Sequence, residues 1–565
     1  MMWRRAFVVV ALLGASGACS AILGIGDLPA SDDANQGDAS TDSASDGASG
    51  DSGSNDGALG DGAVNPNAPR LLAPLSTSHV TSRTPTLHFV LPSGVVAADA
   101  TVDLCLDRAC TQPIDSLGRP VTSATTYVPG TQLPVGVVFW RMHAGSNTSP
   151  TWEFWVGARS APVANTSWGT TLDVNGDGRP DVAVANRELH TVDLYLGTST
   201  GISSTSSTSL TTSLDPYFGE FVAGAGDVNG DGYGDLLVAG LYHVFLYLGS
   251  EDGLVPSPYA VYYDPGGPKY ITNAISIGDV NGDGYGDIAF SGGLAGAHDG
   301  GFSGYGVNVL YGGISALSAD VTDGGYVADL SLTYPIEVSH QNFPFGSSMA
   351  AADVNGDGVG DLLATSSYSA DGGSGPALYV YDGNVAGLPG IPSGYYDGVG
   401  AGGYQGGATN FGDFDGRGYG TILLAGPQIF DPALPTTVSN LGIFNSFYYT
   451  DGGTQQFDNG SNAGDLNGDG IADGIIYVSA DSRSYVVLAG GFNKLTATPE
   501  SLPTTLGSIS PAGDINGDGL GDVWETTGTS INLYYGASEG LALASDGGLV
   551  PVASFSGTAV FGSTN

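Results

Sequence analysis

A nine-residue motif, Asp-x-Asn-Gly-Asp-Gly-x-x-Asp, starts at residues 173, 227, 279, 353, 465 and 514 of this 565-residue chain, and a degraded copy starts at 413. Repeats spaced 49 to 74 residues apart constrain a chain strongly, because one such unit cannot bury its apolar face alone and must stack on its neighbours. Within a copy the oxygen-bearing side chains stand at positions 1, 3, 5 and 9, and glycines let the backbone curl between them. The six complete sets are Asp173, Asn175, Asp177 and Asp181; Asp227, Asn229, Asp231 and Asp235; Asp279, Asn281, Asp283 and Asp287; Asp353, Asn355, Asp357 and Asp361; Asp465, Asn467, Asp469 and Asp473; and Asp514, Asn516, Asp518 and Asp522. Three carboxylates, one amide and the carbonyl of position 7 surround a hard cation with oxygen. Calcium takes about six to eight such ligands, whereas zinc and copper want the His or Cys that these loops lack. About six calcium (Ca2+) sites are expected, one per intact loop.

Each loop is followed by a short apolar run, such as Leu236-Leu237-Val238-Ala239 or Ile288-Ala289-Phe290. A second run ending in glycine follows in most copies, as in Leu194-Tyr195-Leu196-Gly197 and Leu246-Tyr247-Leu248-Gly249. These read as strands of a small antiparallel sheet with the loop at one hairpin. Four-stranded sheets of this kind pack around a central axis, so seven units predict an all-β, seven-bladed β-propeller over residues 161–565. The order Phe218-Gly219, Gly224-Ala225-Gly226 and then the Asp loop resembles the FG-GAP repeats of integrin α-subunits and of many bacterial secreted proteins. Phe345-Gly346 and Phe411-Gly412 recur before their own loops, and the first copy has Trp168-Gly169 instead. The resemblance implies calcium in the loops on one face of the propeller, with ligands meeting the opposite face.

The copy at 413 departs from the pattern, with Arg417 at position 5 and Thr421 at position 9. Two readings stand: the Arg417 guanidinium replaces the ion and pairs with Asp413 and Asp415, or the loop is empty. The tail segment Phe561-Gly562-Ser563 likewise has two readings, completion of the first blade or the start of a truncated eighth unit.

The chain carries 57 acidic against 14 basic residues, a formal net charge of −43. A nucleic-acid partner is excluded on this ground, since phosphate binding needs clustered Lys and Arg. The loop carboxylates would repel one another without a counter-ion, so stability is expected to depend on calcium.

The amino terminus has two arginines, a short apolar run and small residues before Cys19, the pattern of an export signal over residues 1–18. Ser16-Gly17-Ala18-Cys19 resembles a bacterial lipobox, which would make Cys19 the lipidated first residue of a protein anchored in the cell envelope; ordinary cleavage after Ala18, giving a secreted protein, is the competing reading. Residues 19–67, dominated by Asp, Ser, Gly and Ala, read as a disordered tether. Residues 68–158 hold several strand-like runs and resemble a fibronectin type III-like β-sandwich, expected to act as a spacer. Cys105 and Cys110 are expected to form a disulfide.

No catalytic constellation stands out. Two Gly-x-Ser-x-Gly segments, at 197–201 and 536–540, follow equivalent strands and read as turns, because a nucleophile elbow joins a strand to a helix. The seven histidines are dispersed. Insertions near 292–306, 314–344 and 384–410 are expected to project as loops, and they carry His298, Asp299, Tyr305, Tyr395, Tyr396 and Tyr404. The leading expectation is an envelope-anchored, calcium-stabilised module binding a cell-surface glycan or protein. An extracellular enzyme acting on polysaccharide and a scaffold subunit of an envelope complex are the alternatives.

Overall fold

Short runs of aliphatic and aromatic residues bounded by glycine form nearly all the elements in this computed structural model, which describes residues 65–158, 167–263, 271–293, 305–313, 328–333, 345–366, 377–397, 408–410, 412–413, 418, 420–424, 428–430, 447–448, 454–455, 459–478, 483–487, 500–501, 506–538, 540–543, 549–561 and 563–564. The one helical element among them is a single 3-10 turn, Ala97–Asp99. The fold is all-β. Cys19 and the 1–18 signal, most of the 19–67 tether, Asp415, Arg417, His298, Asp299 and Tyr404 lie outside the described residues.

The first domain is built from two sheets. Arg70–Ala73, Leu87–Val90 and Thr126–Tyr127 form one. The other runs through Ser78–Val80, Trp152–Val156, Gly136–Ala144, Ala100–Cys105 and Arg119–Pro120, with Ser78–Val80 lying parallel to Trp152–Val156. Alternating residues Leu87, Phe89, Val102, Leu104, Val138, Trp140 and Phe154 fill the space between, and Trp140 meets Trp152 edge-on at 6.2 Å. Trp168, expected to open the first repeat, instead pairs with His79 on the outer edge of the larger sheet.

The repeats then form seven successive antiparallel sheets, six of four strands and one, at 408–430, of three described strands. The second shows the plan: Phe221–Gly226, Asp235–Ala239, His243–Tyr247 and Ala260–Tyr263 run inside to outside, with the Asp loop joining the first two strands. Phe218 is fully buried and packs edge-on against Phe245 at 5.2 Å, and Phe345 does the same with Tyr379 at 5.6 Å. The glycine of each Phe-Gly pair has positive φ, +84° at Gly219 and +77° at Gly346, and a Cβ on Gly219 would press on Ala185 and Val192 of the preceding sheet. That close approach explains the pair.

The carboxy-terminal strand Ala559–Phe561 pairs with Val182–Asn186 as the innermost strand of the first sheet, and Ser563–Thr564 pairs with Thr170–Thr171. Ala559–Phe561 packs against the innermost strand of the second sheet and the second strand of the seventh, and Ser563–Thr564 against the innermost strand of the seventh. The tail therefore completes the first sheet and closes the ring, the device by which propellers avoid an open edge. The register of the tail differs from that of the Phe218 and Phe345 copies, since Phe561 stands opposite Ala183 near the loop end of its partner strand, whereas Phe218 precedes its strand and Phe345 stands opposite Ser366 at the far end.

Candidate metal loops and the surface that covers them

Each Asp loop is shaped by its own carboxylates. In the second, Asp227 at position 1 accepts the backbone N–H groups of Gly230, Asp231 and Gly232 at 2.7, 3.1 and 2.7 Å. Asp235 at position 9 accepts the N–H of Val228 at 2.8 Å and that of Gly249, at the end of the third strand, at 2.9 Å. The same pattern recurs at Asp279 and Asp287 and at Asp353 and Asp361. Asn229 and Asp231 accept from the N–H groups two residues on, which sets positions 3 and 5 around the same concavity. Five or six residues thus curl tightly around one carboxylate, and glycines at positive φ, such as Gly230 at +76° and Gly232 at +96°, make the curl possible.

Buried carboxylates so close together resist ionisation. Burial, then the charge of neighbouring loop carboxylates, raises Asp227, Asp235, Asp181 and Asp287 well above the usual range. Burial likewise pushes Asp173 to about 6, Asp279 and Asp465 to about 7 and Asp361 to about 8. Among the described residues no three His, Cys, Asp or Glu side chains form a ready cage. The donor set of each loop instead mixes carboxylates, the Asn amide and backbone carbonyls, all oxygen, and its buried negative charge suits a hard divalent cation. In the copy at 413, Asp413 still accepts the N–H of Gly418 at 2.9 Å, so the curl persists without the full acidic set.

The loops are also tied to one another. The N–H at position 8 of each loop donates to the position-1 carbonyl of the loop before it: Gly234 to Asp173, Gly286 to Asp227, Gly360 to Asp279, Gly420 to Asp353, Ala472 to Asp413 and Gly521 to Asp465. Position 8 of the first loop is Pro180, which has no N–H to give. Sequence reasoning passed over this position, although its near-constant glycine was visible. A Cβ on Gly521 would come within 3.0 Å of Asp465 backbone atoms, so close approach keeps the position small.

The sandwich sits on the loop face. Arg108 donates from Nε to the Gly176 carbonyl at 2.6 Å, from one terminal nitrogen to Thr151 O at 2.9 Å and from the other to Gly232 O at 2.5 Å. Its guanidinium lies over the Tyr233 ring at 4.3 Å. Trp152 Nε1 donates to Gly230 O at 3.2 Å, Ser76 Oγ to Gly232 O at 3.1 Å, and Arg70 to Asp283 O. Cys105 and Cys110 form a disulfide across the turn that carries Arg108. On the other side of the ring, a cleft is lined by His79 and Trp155 of the sandwich and by Asp413, Asp465 and Asp514 of three loops. Neither Arg108 nor Glu153, a fully buried acid in the strand Trp152–Val156, was singled out from sequence. The available signal was one acidic residue inside an otherwise apolar strand run.

The remaining sequence candidates are dispersed. Gly197–Thr198 with Gly201–Ile202, and Gly536–Ala537 with Gly540–Leu541, form two-stranded hairpins and not strand-to-helix turns. Tyr395 and Tyr396 lie in the outer strand Gly394–Asp397 of the fourth sheet and not in a projecting loop, and Tyr305 begins the third strand of its sheet.

Family models match the repeats directly. The FG-GAP-like repeat family matches residues 173–238 and 227–290, and the FG-GAP repeat family matches residues 345–381. Integrin alpha-IIb of Mus musculus is 33% identical over 139 residues, covering 20% of this chain and 14% of that protein. The chain thus spans about a seventh of the length of the relative it matches. Among solved structures, Bacillus licheniformis rhamnogalacturonan lyase PL11 aligns at 15% identity and a TM-score of 0.31 over 85% of this chain and 78% of that one. The Dos1 propeller aligns at 10% identity and a TM-score of 0.36 over 81% and 95%. The chain carries FG-GAP repeats, and their sheets close as a β-propeller.

Proposed function

We propose that this protein is a seven-bladed, calcium-stabilised binding module, lipid-anchored at Cys19 to a bacterial envelope, that holds a cell-surface glycan or protein on the propeller face opposite the Asp loops. Calcium is structural in this reading. In an antiparallel meander, successive connections leave opposite ends of the sheet, so the turns after the second strands and the links between sheets lie away from the loops. The observation that carries the reading is what these connections expose: Leu189 is 68% exposed, Leu214 58% and Tyr217 44%. They are held in place. Buried Asp215 accepts the N–H groups of Tyr217, Tyr242 and His243 at 2.8 to 2.9 Å, setting the Tyr217 and Tyr242 rings 6.0 Å apart. Arg187 pairs with Glu220 at 3.3 Å and so joins the Leu189 turn to the link that carries Tyr217. A fixed pair of tyrosines beside exposed leucines offers flat contact area with polar tips at little ordering cost. The sandwich, seated on the loop face, leaves Leu189, Leu214 and Tyr217 exposed to a ligand.

The test is retention of the full chain on a panel of glycans and bacterial surfaces, compared with Tyr217→Ser and Leu214→Ser, with the glycans assayed for cleavage. Saturable retention that both substitutions weaken at unchanged melting temperature supports the proposal. Retention indifferent to both changes, or release of glycan fragments, counts against it.

A further inference from the structure

Glu153 is the second residue of the strand Trp152–Val156, in which every residue is buried, and is itself 0% exposed. Neither oxygen of its carboxylate meets an N–H or hydroxyl donor, and the polar group it does meet is a second carboxyl. Its side chain faces Asp173, position 1 of the first Asp loop, closely enough for the two carboxyl groups to interact directly. One cation stands nearby: a terminal nitrogen of Arg108 is 3.6 Å from Glu153 Oε2. Its N–H groups, however, donate to the carbonyls of Gly176, Thr151 and Gly232. One guanidinium therefore stands against both Glu153 and Asp173, while Asp177 adds negative charge nearby and Arg179 pairs with Asp177 only at the exposed rim. A buried carboxylate without hydrogen bonds is costly. An acid placed against a second acid at the centre of an interface calls for a shared positive ion.

We propose that Glu153 is a ligand to the divalent cation of the first Asp loop, so that this site is built jointly by the sandwich and the propeller. The proposal rests on the reading that the loops hold calcium. It assigns to the first loop a role that the others do not share, since the sandwich meets the second and third loops through Arg108, Trp152, Ser76 and Arg70, all of which donate to carbonyls. The site then doubles as a fastener. Filling it draws the two domains together, and separating them removes a ligand.

Calcium titration calorimetry on the chelator-stripped full chain, with Glu153→Gln alongside, tests this. The expected result is that one site weakens by at least ~10-fold while the others keep their affinity, because altering groups around a bound metal costs about that much or more. An unchanged isotherm overturns the proposal and implies that Glu153 and Asp173 share a proton instead. A wild-type chain that binds no calcium at all overturns the loop reading itself, a separate failure. Should Glu153→Gln not fold, amide exchange of the wild type decides. Calcium must slow exchange at 151–155 together with 174–178, and protection confined to the loop refutes the shared site.

Discussion

Replacing Arg108 with alanine should loosen the joint between the domains more than any other single surface change. The side chain is 19% exposed, sits 3.6 Å from the fully buried Glu153 and donates to three carbonyls, two of them in the first and second Asp loops. Hydrogen bonds from a charged donor contribute about 1.5–3 kcal/mol each, and water replaces part of that once the domains part, so losing the three together costs about 3–5 kcal/mol. Partial exposure argues for the lower end, about 3 kcal/mol, or roughly 100-fold in the docking equilibrium. Arg108→Lys keeps the charge but loses the planar fork that reaches three acceptors, so it should fall between wild type and alanine. The assay is amide exchange at 151–154, together with the fluorescence of Trp152, whose Nε1 donates to Gly230 O. Measured in EDTA, Arg108→Ala should speed exchange there by about two orders of magnitude. A change corresponding to less than about 1 kcal/mol would falsify the assignment of Arg108 as the interdomain anchor.

Four further outcomes follow from the same contacts. EDTA should lower the melting temperature, since each loop filled at 100-fold over its dissociation constant adds about 2.7 kcal/mol, and an unchanged transition would show that the loops hold no ion. Gly232→Ala should destabilise the chain by about 1–3 kcal/mol, because φ is +96° there and a Cβ would lie 2.2 Å from Thr151 O; urea unfolding at unchanged midpoint would contradict this. Burial pushes His79 down to about 4, so the neutral ring is favoured when folded. Its contribution is complete above the unfolded value near 6.5 and is lost as pH falls towards 4, and the stability gap between wild type and His79→Gln should shrink across that window. Replacing Cys105 and Cys110 together by serine should release the turn that presents Arg108; domain separation in scattering measurements should then rise while the sandwich keeps its own tryptophan spectrum.

The ring was legible because its determinants repeat. The period of the Asp motif set the number of units, and the apolar runs after each loop became the second and third strands. Closure was legible only as a pair of options: Phe561-Gly562 carries the look of a repeat opening, yet it enters the first sheet in a different register from Phe218-Gly219. The interface was not legible, because Arg108 and Glu153 belong to no repeat and act through carbonyls and one buried carboxyl of distant segments. The tyrosines at 395 and 396 were misplaced for a related reason, since glycine-rich flanks suggested a loop where cross-strand pairing with Tyr379 and Leu378 makes a strand.

The docking surface follows from the loop chemistry. When a position-1 carboxylate gathers the N–H groups of positions 4, 5 and 6, the carbonyls of that turn are left to point away from it. Gly176, Gly230, Gly232 and Asp283 present such oxygens, and they are the ones that Arg108, Trp152, Ser76 and Arg70 reach. A loop curled around its acid therefore offers acceptors outward while it concentrates negative charge within. Donors from a second domain can fasten to the outer set, and a cation held in the inner set would stiffen the carbonyls they grip. Calcium occupancy and domain docking are then linked, and the linkage must be reciprocal: whatever factor calcium adds to docking, docking adds to calcium affinity. Separating the domains by Arg108→Ala should accordingly weaken the first and second loops for calcium and leave the fourth, whose Asp353 and Asp361 contact no sandwich donor among the described residues, at wild-type affinity.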